Sequence, residues 1–321
     1  MMNLHLLTDI KQYKKVFLLY FFVLFLSCLL APVVKECLDA FLPSNAFLTH
    51  ILKYKNGSYD FGKVLRRIIL VVAVLIAIFF RKPLKIRAFG SIGLKRYEGW
   101  LGQLQMGFLL GVGVFIVYTS FLCSTGVWTL QWNAKSIGSF IIGLFETILI
   151  AGVVGCIEEA LFRGFILQSF LQDMRPLSAV CVSSLFYSLL HFLKAKVLVT
   201  QGLYPFVGFV VCYQSFKNIV AQLPAILPSA IGLFLIGVVL SYAYLRTRSL
   251  YFSIGLHAGW VFLIKTNDSY LRYAGTNYPW LYGDKDVITG LLGWFMLIVT
   301  LFLVYLVTKT SFHGKNTAGI G

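Results

Sequence analysis

The stretch Gly155-Cys156-Ile157-Glu158-Glu159-Ala160-Leu161-Phe162-Arg163-Gly164 decides the class of this protein. Two adjacent glutamates and an arginine close a run from Ile137 to Ile157 that is otherwise almost wholly apolar, interrupted by a single acid, Glu146. A charged residue at the centre of a bilayer costs about 2.5–3.5 kcal/mol. Acids in such a run are therefore functional candidates, and two side by side need a reason. On a helix Glu159 and Arg163 stand at i and i+4, the favourable order for a salt bridge, so that pair can neutralise itself. Glu158 points about 100° away around the helix and needs a proton, a water or another partner.

The rest of the chain supplies the membrane. Of 321 residues, 59% are apolar and only 12% charged, with a mean hydropathy of +0.82. An ordinary soluble domain carries about 25% charged residues, so a water-soluble globule is excluded. Apolar runs fall at 16–34, 64–80, 101–123, 137–158, 176–193, 227–245, 250–265 and 287–308. About eight spans of some 20 residues would use half the chain. The expected fold is all-α, a polytopic bundle of about eight transmembrane helices around an intramembrane polar cavity. Residues 194–226, less apolar and holding Pro205, Gly208 and Pro224, read as a surface or re-entrant segment. Gly107, Gly111 and Gly113 read as sites of close helix packing. The six cysteines form no CxxC pair, so neither a disulfide framework nor a zinc knuckle is expected.

The net charge of +16, from 28 Lys and Arg against 12 Asp and Glu, sits mostly in short connectors. There it sets membrane orientation and meets anionic lipid headgroups; nucleic acid is not an expected partner. Residues 81–96 hold Arg81, Lys82, Lys85, Arg87, Lys95 and Arg96, whereas 125–136 hold only Lys135; Arg246 and Arg248 follow the sixth span, and Lys309 and Lys315 the last. Counting alternate connectors places both termini and the 81–96 loop in the cytoplasm. Lys63, Arg66 and Arg67 then fall on the wrong side, which suggests an interfacial helix there.

His5, His50 and His313 lie in terminal or connecting regions, but His191 and His257 lie in apolar segments. Arg175-Pro176 marks a helix break. Glu158 and His191 are each about 25 Å from it along their helices, so antiparallel arms would bring them face to face. By the same ruler His257 lies nearer the cytoplasmic side, a difference that tilt can close. A carboxylate and an imidazole sharing a water can make it a nucleophile, and a second imidazole can stabilise the oxyanion formed at a peptide carbonyl. Glu158, His191 and His257 could also hold a divalent metal such as zinc. The zinc-peptidase signature HExxH is absent.

Glu158-Glu159-x-x-x-Arg163, then Tyr187-x-x-x-His191, then Gly255-Leu256-His257-Ala258-Gly259-Trp260 resembles the CAAX-processing and bacteriocin-processing (CPBP) intramembrane protease family, which includes the Ras-converting CAAX endopeptidase. The motifs span about residues 140–265. The resemblance implies a helical bundle with a polar cavity and a peptide-bond hydrolase, a metalloprotease or a glutamate protease. Glu158 would be the base, His191 would hold the attacking water, and His257 would serve the oxyanion, with Glu159, Arg163 and Tyr187 in support. Two positions depart from the family pattern. Tyr187 replaces the usual Phe, and Val261 replaces an Asn four residues after the last His. Valine donates no hydrogen bond, and losing one oxyanion donor costs about 100- to 1000-fold in turnover.

The chain accordingly divides into N-terminal helices and basic loops (1–136), a CPBP-like catalytic core (137–265) and a final loop, helix and cytoplasmic tail (266–321). The expected partner is a membrane-associated peptide or protein substrate, and the expected location is a bacterial cell membrane. Two other readings stay open: a catalytically weak or silent family member acting as membrane scaffold or immunity factor, and a proton-linked transporter using the same acids and histidines as a relay. Neither the motifs nor the spacing explains Glu146.

Overall fold

The computed structural model describes residues 10–45, 49, 52, 57–86, 89–131, 136–193, 195–200 and 202–313. Asp9, Arg87, Lys135, Lys315, His5 and His50 lie outside the described residues.

In chain order the principal helices are α1 (Gln12–Phe41), α2 (Phe61–Phe79), α3 (Trp100–Ser124), α4 (Ile137–Glu159), α5 (Pro176–Leu190), α6 (Val207–Ala221), α7 (Leu223–Thr247), α8 (Leu250–Tyr270) and α9 (Leu291–His313). Among the described residues five helical stretches are long and apolar enough to cross a membrane: Gln12–Phe41, Trp100–Ser124, Ile137–Leu171, Leu223–Thr247 and Leu291–Lys309. Each run read as a span carries a helix, but the lengths differ. The stretch beginning at Ile137 does not stop at Ile157. It continues as a π-helical segment, Ala160–Leu167, and a last turn, Gln168–Leu171, because Glu159 and Arg163 neutralise one another and do not end the helix. The break falls where Arg175-Pro176 puts it, with Pro176 opening α5, a position that needs no backbone N–H.

The chain is mostly helical, as expected, with a small addition. Two short antiparallel ladders are present, β1 (Ser58–Asp60) with β3 (Leu198–Thr200) and β2 (Trp128–Leu130) with β4 (Leu271–Tyr273). They tie connectors between helices and satisfy backbone groups that would otherwise be unpaired. The 194–226 segment supplies β3 and the 15-residue α6, which at about 1.5 Å per residue is too short for a full crossing.

The chain forms two compact units, Met1–Lys85 with Leu189–Leu227, and Ile86–Ser188 with Pro228–Gly321. In the first, α1, α2 and α6 share a core of Val23, Ala31, Phe61, Leu65, Val72 and Val211. Gly208 permits the approach of α6 to α1, since a Cβ there would lie 2.5 Å from the Cys28 carbonyl oxygen. Fully buried Lys35 is satisfied by Asp39 Oδ2 and by the Gly202 carbonyl, both at 2.6 Å, and Tyr59 donates to Asp39 Oδ1 at 2.8 Å.

In the second unit α8 is the central helix; Leu250, Phe252 and every residue from Ser253 to Trp260 are buried. Its glycines face those of α3. A Cβ on Gly255 would come within 2.0 Å of the Leu104 carbonyl oxygen, and one on Gly107 within 2.2 Å of that of Phe252. Gly111 and Gly259 make the same kind of contact one turn on, at 2.6 Å each. The pair thus presents Gly-x-x-x-Gly on both faces, the arrangement that lets backbones pack at close range in membranes. Gly113, by contrast, meets nothing.

Candidate active site

The close α3–α8 contact fixes what the other side of α8 can do. His257 lies midway between Gly255 and Gly259 in sequence, about 200° around the helix from each, so it faces away from α3 and toward α4. Gly155 lets α4 come near, with room for a Cβ only 3.2 Å from the Ile254 carbonyl oxygen. One turn further along α4 is Glu159.

Glu159 is fully buried and its Oε1 is the focus of the site. It accepts from Arg163 Nη1 at 2.8 Å and from His257 Nδ1 at 2.9 Å. A carboxylate can only accept, so Nδ1 carries the proton and the ring orientation is set. The other ring nitrogen, Nε2, then faces Glu158 Oε2 at 3.8 Å, beyond direct hydrogen-bonding distance. The Glu158 side chain keeps 22% of its surface exposed, whereas those of Glu159, Arg163 and His257 are buried. The imidazole is therefore held between two glutamates with distinct surroundings, one locked by a guanidinium and one accessible. With one proton on the imidazole the four groups carry one net negative charge; with two they cancel.

Arg163 lies in the π-helical segment, a feature that often marks functional sites. Its Nη2 donates to the Gly237 carbonyl of α7 at 3.2 Å, and its guanidinium stacks over the Tyr187 ring at 5.0 Å. Gly237 was not singled out by sequence reasoning. Its only signal is a glycine within an apolar span, and its role is steric, since a Cβ there would lie 2.8 Å from that of Ser184. Tyr187 is buried, edge-on to Phe162 at 4.8 Å and to His257 at 6.5 Å. Its phenol also lies close enough to Glu158 to interact with the carboxylate.

The structure therefore brings together Glu158, Glu159, Arg163, Tyr187 and His257 within one unit. His191 is half-buried one residue past the end of α5, among the residues of the other unit. Val261 follows on α8, half-buried. Glu146 lies exposed on α4, three turns before the site. Among the described residues no three His, Cys, Asp or Glu side chains are grouped to hold a metal ion. Glu159 is committed to Arg163 and His257, which leaves Glu158 and His257 Nε2 as two ligands where zinc takes three or four. That donor set does not by itself fit a metal.

No curated protein and no solved structure matches the chain. Residues 139–263 match the family model described as type II CAAX prenyl endopeptidase Rce1-like. The matched segment contains the glutamate pair, Arg163, Tyr187, His191 and His257. With five apolar helices able to span a bilayer among the described residues, the chain is an integral membrane protein, and the match of its residues 139–263 to the Rce1-like CAAX endopeptidase model supports the CPBP membrane-protease family.

Proposed function

We propose that the protein is an intramembrane endopeptidase in which Glu158 activates water for attack on a peptide bond. The observation that carries this reading is the held imidazole: His257 is fixed through Nδ1 on buried Glu159 and turns Nε2 toward the accessible carboxylate of Glu158. In the reaction Glu158 takes a proton from water as the oxygen adds to the carbonyl carbon, and later returns it to the leaving amine. His257 Nε2 faces the carbonyl oxygen as charge develops there, while Glu159 and Arg163 hold the ring. His191 is assigned to orient the attacking water. With Phe61–Phe79, Pro176–Leu190 and Leu250–Tyr270 also crossing, the chain would have about eight transmembrane helices, in a bacterial cell membrane. The substrate class is a membrane-associated peptide, of CAAX type or a maturing bacteriocin-like leader.

The test is cleavage of a quenched peptide library, prenylated members included, by the purified detergent-solubilised protein and by Glu158→Gln, each with and without a chelator. Cleavage by the parent that the variant lacks supports the reading; equal cleavage by both refutes it. Loss of activity on chelation would add a divalent metal such as zinc, with His191 as its third ligand.

Val261 supports a second reading, a weak or silent family member acting as scaffold or immunity factor, because the expected amide donor is missing from α8. Full biological activity in a Glu158→Ala, His191→Ala double variant would favour it. Substrate-dependent proton flux in liposomes would instead favour a transporter.

A further inference from the structure

The first unit carries three cations that have no counter-ion among the described residues. Lys63, Arg66 and Arg67 occupy the first two turns of α2. The nearest acid in sequence, Asp60, is engaged as the helix N-cap, accepting from the Gly62 amide at 3.1 Å. None of the three basic side chains makes an ion pair or hydrogen bond with a described residue. They also contradict the connector count that orients the rest of the chain, which places them on the side where basic residues are scarce.

Their setting is specific. Arg66 and Arg67 are exposed, and the face centred on Arg67 continues with Leu70 and Val71 one turn later, then Leu75 and Ile78, all exposed and within about 80° of Arg67 around the helix; Arg66 flanks that face, one turn before Leu70. From Arg67 to Leu75 the face runs about 12 Å, and to Ile78 about 17 Å; half of a bilayer's hydrocarbon core is about 15 Å. On its other side Arg66 edges a groove lined by Leu24, Leu65, Ile69, Val211 and Cys212 of α1, α2 and α6. The face thus places positive charge at one end of an apolar strip whose length matches one lipid chain.

We propose that this face of α2 is a binding site for an anionic phospholipid. The lipid phosphate is held by Arg66 and Arg67, with Lys63 adding charge, and the acyl chains lie along Leu70, Val71 and Leu75. Arginine suits the role because its planar fork meets phosphate oxygens two at a time. Such a lipid supplies the missing counter-charge and accounts for the basic cluster independently of the orientation rule.

The test is native mass spectrometry and thermal unfolding of the full-length protein in neutral detergent, titrated with dioleoyl phosphatidylglycerol, dioleoyl phosphatidylcholine or inorganic phosphate. Phosphatidylglycerol is expected to be retained and to raise the Tm, phosphatidylcholine to do so much less and inorganic phosphate not at all. The Arg66→Gln, Arg67→Gln double variant should bind phosphatidylglycerol about 30-fold more weakly. A control with the same charge loss elsewhere, Lys265→Gln with Arg272→Gln, should bind as the parent does. The proposal is overturned if the double variant keeps its preference, if the control loses as much, or if inorganic phosphate stabilises as well as the lipid.

Discussion

Replacing Glu159 by Gln would test the electrostatic core of the site most sharply. Arg163 Nη1 and His257 Nδ1 converge on the same oxygen, Oε1, at 2.8 and 2.9 Å. A glutamine amide offers an oxygen in the same place, so the shape and both acceptor contacts survive and only the charge is lost. What remains is a guanidinium whose side chain is 1% exposed with no carboxylate beside it. Its other contacts are the Gly237 carbonyl and the Tyr187 and Phe162 rings, none of them a counter-charge. Removing one partner of a buried pair costs about 3–5 kcal/mol, because the other charge stays buried without compensation. At about 2–4 °C per kcal/mol, as for soluble domains of 150–250 residues, the expected loss in Tm is roughly 6–20 °C, read by thermal unfolding in detergent. The companion Arg163→Met should also destabilise. The double variant, with neither charge buried, should recover most of the loss. A Tm for Glu159→Gln within about 2 °C of the parent, or a double variant no better than the sum of the singles, would refute the reasoning.

Three further outcomes follow from the same geometry. Glu158→Gln, at a partly exposed carboxylate outside the Arg163 pair, should lower peptide cleavage at least about 100-fold while moving the Tm by no more than about 2 °C, a dissociation of activity from stability that Glu159→Gln should not show. Val261→Asn should raise kcat, up to about 100-fold if the added amide reaches the oxyanion, with cleavage kinetics as the readout. Gly255→Ala puts a methyl 2.0 Å from the Leu104 carbonyl oxygen and should destabilise by about 1–3 kcal/mol as α3 and α8 are forced apart. Gly113→Ala, which meets nothing, should be neutral or stabilise by up to about 1 kcal/mol; thermal unfolding distinguishes the two.

Much of this was legible in the sequence wherever the controlling interactions are local. The i, i+4 spacing of Glu159 and Arg163 is enough to predict their salt bridge, because the helix itself sets that distance. The break at Pro176 follows from proline's missing N–H and ring. Helix ends were less legible where a charge looked like a boundary but was neutralised internally, as at Arg163, so the stretch from Ile137 runs on to Leu171. Close packing at Gly107 and Gly111 was expected and is present, but the sequence does not name the facing helix, and Gly113 took no part.

The amino-acid sequence by itself determined that the chain is a membrane protein of apolar helices, and that charge within those helices is confined to a few residues worth a functional reading. Helical spacing and bilayer energetics suffice for that. Only the tertiary structure decided that His257, far along the chain from the glutamates, sits between them with one nitrogen on each side. Glu158 points away from Glu159 on their own helix, and no local rule brings both to one ring. The ring reaches both because glycines on α3, α4 and α8 let three backbones approach closely enough. That is a property of packed surfaces, not of spacing along the chain.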